Sequence, residues 1–384
     1  MEETMPSSIT NRFTQNIFRI IPICLIFLFS SVPLVFSQTP LRWINFPNPA
    51  FEVNGLAWFS ENTPDLFRLP KRMMNLVRPP VWQLAKNPSG GRIRFRSDCS
   101  TLAIRLEYPE LGRMNNMHTF GQSGVDLYSN GSYIKTAIPT DSTFVEFYYF
   151  RNITSRSREF TLYLPLYKGV RVVAIGMNNE ASIAPPQPFI LNKPVVYYGT
   201  SITQGGCASR PGMSYQAILS RHLNLNFVNL GFSGNGKGEP ELAHALAEID
   251  AACYVLDFAA NNAYADSLKK VYGPFLDILR KKRPEVPIIA ITPIFFTGEF
   301  AFSEDNQTIN EMRNVIRNEV TKRIAAGDKI LTYVEGTDLL GPDLVDGHVD
   351  GVHPNDLGFQ AMADRLMPTL IRVLGLAHSE PLLK

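Results

Sequence analysis

Cysteine is scarce in this chain of 384 residues, and the four present, Cys24, Cys99, Cys207 and Cys253, include no Cys-x-x-Cys pair. That argues against both a zinc site and a disulfide framework. Charge is equally sparse, at 19% of residues with a net +2, and no basic stripe is present to hold nucleic acid. A Gly-x-Ser-x-Gly turn is missing altogether, which argues against the α/β-hydrolase fold. Long apolar runs are missing too, apart from Ile20–Phe36, which follows Arg12 and Arg19 and contains Pro22 and Pro33. This run is short for a membrane span of about 20 residues. With small Ser37 at its end, the layout predicts a secretory signal peptide over residues 1–37, a secreted or periplasmic protein, and no stable membrane association after cleavage. No lipobox surrounds Cys24, and the three remaining cysteines are expected to be buried thiols.

The 347 residues left after position 37 (384 less 37) suggest two domains. Residues 38–183 have the texture of an all-β sandwich, jelly-roll-like, with no competing helical period. Arg92–Phe95, Thr101–Tyr108, Thr143–Phe150, Glu159–Tyr167 and Val170–Met177 read as strands between Gly, Asn, Ser and Pro. In Glu159–Tyr167 the residues Phe160, Leu162, Leu164 and Leu166 take one face. A Pro-rich linker at 184–193 then opens a domain at 194–384 of different pattern. Apolar strands at Val195–Tyr198, Phe227–Leu230, Tyr254–Phe258, Ile288–Ile291 and Ile330–Val334 alternate with helical segments near 213–222, 240–248, 265–282, 306–326 and 355–374. Five such units predict a three-layer α/β domain around a parallel sheet, with its site beyond the carboxyl ends of the strands.

Chemistry collects at those ends. Ser201 follows the first strand, the turn Phe232–Gly236 the second, and Asn261-Asn262 the third. Near the C-terminus Asp350 precedes His353 by three residues, so one loop can present a base together with the acid that fixes its tautomer. A serine in reach of that histidine becomes a nucleophile. Gly234 offers a backbone N–H, and Asn261 an amide, to an oxyanion. Each piece alone also reads as an ordinary turn residue, and His348, close to Asp346 and Asp350, competes with His353 as base.

In their order along the chain, Ser201, Gly234, Asn261 and His353 resemble the four blocks of the SGNH (GDSL-like) hydrolase superfamily. The resemblance covers roughly residues 192–375 and implies a flavodoxin-like hydrolase domain. It implies Ser201 as nucleophile, His353 as base and Asp350 as its partner, with an oxyanion hole of Ser201 N–H, Gly234 N–H and the Asn261 side chain. Thr200 stands where the family's name-giving motif has Asp, and Ala259-Ala260-Asn261-Asn262 replaces Gly-x-Asn-Asp, leaving Asn262 as the substitute for Asn261. Upstream, Gly124-Val-Asp126-Leu-Tyr128 resembles the Gly-x-Asp-Leu-Tyr signature of the sandwich found in one subgroup of these esterases. The expectation is a secreted serine esterase needing no metal or other cofactor. Its substrate would be an O-acyl group, most simply O-acetyl, on a small molecule or polysaccharide. An acyltransferase working through the same acyl-enzyme is the alternative, as is a carbohydrate-binding protein with a decayed hydrolase domain. From the sandwich, His118, Asp126 and Tyr128 are candidates to wall the cleft, unless the last two only pin a hairpin.

Overall fold

Alternating apolar residues close two antiparallel sheets on one another in the first half of the chain. The computed structural model describes residues 40–376, so the expected leader at 1–37 lies outside the described residues. The strands are β1 (Leu41–Asn45), β2 (Glu52–Asn54), β3 (Arg92–Ser97), β4 (Leu102–Glu107), β5 (Val125–Ser129), β6 (Ser132–Ala137), β7 (Phe144–Phe150), β8 (Arg158–Tyr163), β9 (Arg171–Asn178) and β10 (Ile183–Ala184). One sheet runs β1-β9-β4-β7, the other β10-β3-β8-β5-β6 with β2 against β3. Their inner faces meet through Ile93, Phe95, Leu102, Ile104, Leu106, Val125, Leu127, Phe160 and Leu162, all fully or nearly fully buried.

The two sheets form the expected sandwich, and its connections also hold helical turns. Short helices occur at Phe59–Asn62, Pro79–Ala85 and Thr119–Ser123. Two prolines open the helix Pro79–Ala85, and at seven residues it is too brief to show an apolar period. Its Val81, Trp82 and Ala85 do not join the sandwich core. They pack with Trp58, Leu69 and Met73 into the cluster beneath the second half's sheet.

The second half is built on β11 (Val195–Gly199), β12 (Phe227–Gly231), β13 (Cys253–Asp257), β14 (Ile288–Ile291) and β15 (Leu331–Val334), all parallel in the order β12-β11-β13-β14-β15. Every residue of β11, β12 and β13 is buried, because helices cover both faces. Helices Pro240–Glu248, Ala265–Lys282 and Ser303–Ala325 pack on one face, and Tyr215–Leu223 and Asp356–Leu374 on the other. These bounds fall within a few residues of those the apolar spacing predicts.

The two halves share one compact unit. Ala184, expected in the linker, is a strand residue paired with Arg96, and Gln187 O accepts from Arg94. The edge strand β12 would leave its outward carbonyls bare, a hazard for any sheet edge. Two fully buried arginines from the first half cover them instead: Arg92 donates to Phe227 O, and Arg68 to Asn229 O and Gly231 O.

Candidate active site

The end of β11 dictates where Ser201 sits. A Cβ at Gly199 would lie 2.4 Å from Asp257 O and 2.0 Å from Thr203 Oγ1, so only glycine allows the turn to close this tightly over the sheet. Thr200 Oγ1 then accepts from Ile202 N at 3.2 Å and caps a short helix, Ser201–Gln204, that the sequence did not suggest. As the first residue of that helix, Ser201 has an N–H with no intrahelical acceptor. Tyr167, from the first half, donates its hydroxyl to Ser201 O at 3.2 Å and steadies the turn.

Opposite lies the loop between residues 348 and 354. His353 Nε2 is 2.8 Å from Ser201 Oγ, and His353 Nδ1 is 2.9 Å from Asp350 Oδ2. Asp350 Oδ1 accepts the backbone N–H groups of His353 at 2.8 Å and Val352 at 3.1 Å. Its Oδ2 also accepts from Asn116 Nδ2 at 2.9 Å. Burial works against the charge on Asp350, but the His353 N–H, the Asn116 amide and the His353 ring together hold its carboxyl well below the usual carboxylate range. His348 has both ring nitrogens turned to backbone carbonyls. Its Nδ1 faces Val345 O at 3.1 Å and its Nε2 faces Phe295 O at 2.9 Å.

On the other side of Ser201, the turn after β12 is pinned at several points. Phe232 N donates to Gly199 O, Gly236 N to Phe232 O, and Ser233 N to Gln204 Oε1 at 3.0 Å. Gly234 lies at φ +65° with open space where a side chain would point. Asn261 ends the turn after β13 and donates Nδ2 to Phe232 O at 3.1 Å, which brings it beside the Gly234 turn with its second amide hydrogen uncommitted. Asn262 faces inward, and its buried Nδ2 has no partner among the described residues. Ser201, Gly234, Asn261, Asp350 and His353 thus come from four loops to one end of the sheet.

The sandwich residues are placed differently from the cleft contribution considered for them. His118 caps the helix Thr119–Ser123, its Nδ1 accepting from Phe120 N, and lines a separate cavity of about 200 Å³. Asp126 is fully buried and accepts from Thr136 Oγ1 at 2.7 Å and Gly212 N at 2.8 Å. The Tyr128 hydroxyl accepts from Arg210 at 3.0 Å. Both residues therefore dock the sandwich onto the turn at 210–213. Asn116 and Tyr167 escape a sequence reading, because each reaches the site from a segment without a motif.

Cys99, Cys207 and Cys253 are buried free thiols. Cys207 is the one next to the site: with Asp350 and His353 it presents ligand-type atoms within 4.8 Å of one another. Burial, and then Asp350, push its thiol up to about 12. Asp350 and His353 are already committed to each other through the contact of Nδ1 with Oδ2.

The model of the GDSL-like Lipase/Acylhydrolase family matches residues 192–371. That of the N-terminus of Esterase_SGNH_hydro-type, GxDLY, matches residues 41–183. No curated protein matches the chain significantly. Among solved structures, a Bacteroides ovatus protein described as a GDSL-like lipase is 31% identical, with 88% of this chain and 98% of that one covered and a TM-score of 0.80. A salicylyl-acyltransferase of a tetracycline biosynthetic pathway is 20% identical over 88% of this chain and 98% of its own, with a TM-score of 0.74. A family two carbohydrate esterase from Clostridium thermocellum, solved with cellohexaose, is 16% identical over 75% and 93%, with a TM-score of 0.58.

Proposed function

The chain belongs to the GDSL-like lipase/acylhydrolase family and is a carboxylic ester hydrolase, and from that premise we propose that it is a secreted serine esterase removing O-acyl groups, most simply O-acetyl, from carbohydrate. The observation that carries the reading is the unbroken chain Ser201 Oγ, His353 and Asp350, with contacts of 2.8 Å and 2.9 Å. Ser201 Oγ attacks the ester carbonyl while His353 Nε2 takes its proton. Asp350, held ionised, fixes the tautomer with Nδ1–H and stabilises the imidazolium. The tetrahedral oxyanion is bound by the N–H groups of Ser201 and Gly234 and the Asn261 amide. His353 then protonates the departing alcohol, and water, activated by the same imidazole, releases the acid and restores Ser201.

Carbohydrate as the alcohol is supported by the surface beside these loops. Tyr264, three residues after Asn261, is 71% exposed, and Phe300 is 67% exposed on the segment whose Thr297 N donates to Gly351 O. Bare rings there suit stacking on sugar faces. The same fold serves the family two carbohydrate esterases. Secretion is supported by the charged and apolar layout of residues 1–37; no helix among the described residues is long and apolar enough to cross a membrane.

The test is a panel of aryl esters of rising chain length beside acetylated and deacetylated polysaccharides. Short aryl esters and acetylated polymer should be turned over, and Ser201→Ala should lower kcat by roughly 10⁴-fold or more with unchanged melting. Normal turnover by a folded Ser201→Ala protein overturns the mechanism, and preference for long acyl chains overturns the substrate.

A further inference from the structure

A cavity of about 570 Å³ lies between the β3-β8-β5 face of the sandwich and the helix Tyr215–Leu223, and no residue of the Ser201 site lines it. Its size falls within the roughly 300–1,000 Å³ of small-molecule sites. Three of its guanidinium groups lie against ring faces, and among the described residues only Arg94 also meets a carboxylate, that of Glu52. Arg94 lies 3.9 Å from the centroid of Phe189, Arg210 4.1 Å from Tyr133, and Arg221 4.5 Å from Tyr128. Among the described residues each makes a single hydrogen bond: Arg94 to Gln187 O, Arg210 to the Tyr128 hydroxyl and Arg221 to Gly212 O.

A guanidinium carries about five N–H donors, so most of this set is uncommitted. Arg94 is only 7% exposed, yet among the described residues its Nη1 has no hydrogen-bond partner and meets a carboxylate only at 3.5 Å, that of Glu52. Arginines that only hold the fold look different here. Arg313 donates to Pro293 O, Ile294 O, Asn310 and both oxygens of Glu299. Glu159 is the one carboxylate in the cavity lining, and it already accepts from Gln187 N. Asp126, behind the wall, is spent on Thr136 and Gly212.

We infer that this cavity binds a carboxylate-bearing sugar, a uronate unit of an acidic polysaccharide, at a site separate from Ser201. Forked guanidinium donors match a carboxylate, and their positions are fixed in advance by the rings beneath them. The space exceeds what a bare ion needs. Asn130 and Asn224 in its lining suit hydroxyl groups. That the anion is a sugar rests on the carbohydrate reading above, whereas the anion site itself does not. A second foothold would keep the esterase on its polymer while acyl groups pass Ser201.

Calorimetric titration of the full chain decides it, using a short oligogalacturonide, a neutral cello-oligosaccharide and inorganic phosphate. The oligogalacturonide should bind wild type and Ser201→Ala equally, and roughly tenfold more weakly at raised salt or in Arg210→Gln. Tyr133 is 41% exposed, and Tyr133→Ala, compared with Tyr133→Phe, which keeps the ring under Arg210, should weaken binding even if Arg210→Gln is destabilised. Aryl acetate hydrolysis should be unchanged in both variants, which separates failure of this site from failure of the esterase reading. Absence of oligogalacturonide binding, binding indifferent to both substitutions, or phosphate or cello-oligosaccharide binding as tightly would each overturn the inference.

Discussion

Asn116 donates its amide to Asp350 Oδ2 at 2.9 Å, joining a loop of the first half to an acid 234 residues later in the chain. The oxygen it meets is the one nearest His353 Nδ1. On the proposed mechanism Asn116 is a positioning residue: it would fix the carboxylate that fixes the imidazole. Asn116→Ala should lower kcat about tenfold, some 1.4 kcal/mol, with KM nearly unchanged. Asn116→Asp should be worse, since it sets a second carboxylate against the first. Equal activity in both variants and wild type would show that the contact has no catalytic consequence.

Asp350→Asn tests the acid itself. Donors converge on both oxygens of Asp350: two backbone N–H groups on one, and Asn116 and the His353 ring on the other. An amide NH₂ must therefore face a donor wherever it points. The imidazole loses its orienting acceptor, and kcat should fall by roughly 10³–10⁴-fold, less than on loss of Ser201 or His353. Single-turnover measurements should place the loss in acylation; a loss confined to KM would contradict the role given to Asp350.

Much of this site was legible because parallel α/β units put their loops at one end of the sheet, so Ser201, Gly234 and Asn261 could be placed from strand ends, while His353 was marked by Asp350 three residues before it. Long helices such as Ala265–Lys282 were legible for the same kind of reason, an apolar period sustained over many turns. What stayed hidden depends on contacts between distant segments. The helix Pro79–Ala85 is decided by the sheet it covers. Asp126 and Tyr128 were visible as a motif, but only the fold reveals that their partners are Gly212 and Arg210.

The docking role of Asp126 can be measured. Asp126→Ala leaves Gly212 N–H and Thr136 Oγ1 without their acceptor in a buried interface, at about 1–3 kcal/mol for each unsatisfied group. The melting temperature should fall by many degrees, and Asp126→Asn, which keeps one acceptor, should recover part of the loss. A small effect of Asp126→Ala on melting would mean that the motif does not hold the two halves together.

Asp257 governs a pH dependence of stability. Burial pushes its carboxyl up to about 7, only partly opposed by the hydroxyl of Thr203. Between about pH 4 and 7 the folded state thus holds a proton that the unfolded state releases, so this group's contribution is fully present below pH 4 and is lost as pH rises through 7. Asp350 acts with the opposite sign: its stabilisation is present above about pH 4 and lost on acidification. Asp257→Asn should therefore leave stability nearly unchanged at pH 4 and raise it progressively up to pH 8. A pH-independent difference between variant and wild type in thermal melts would refute the assignment.

The edge strand β12 bears on whether the second half can stand alone. Its outward carbonyls at Phe227, Asn229 and Gly231 are covered by Arg92 and Arg68, and Asn229 also donates its amide to Ser89 Oγ. Beneath the same strand, Trp58, Leu69, Val81 and Trp82 complete the cluster that includes Val228, Leu230 and Phe232. A fragment of residues 190–384 would lose all of these partners at once. It would present a bare strand edge beside an uncovered apolar face, the arrangement that invites edge-to-edge pairing. The fragment should aggregate on expression, and in the full chain Arg68→Met should lower stability by about 3–5 kcal/mol by leaving buried carbonyls unpaired. Because Gly231 adjoins the Phe232–Gly236 turn, Arg68→Met should also slow ester hydrolysis at temperatures where the protein stays folded. A soluble, fully active fragment would show that β12 needs no cover and that the sandwich is dispensable for catalysis.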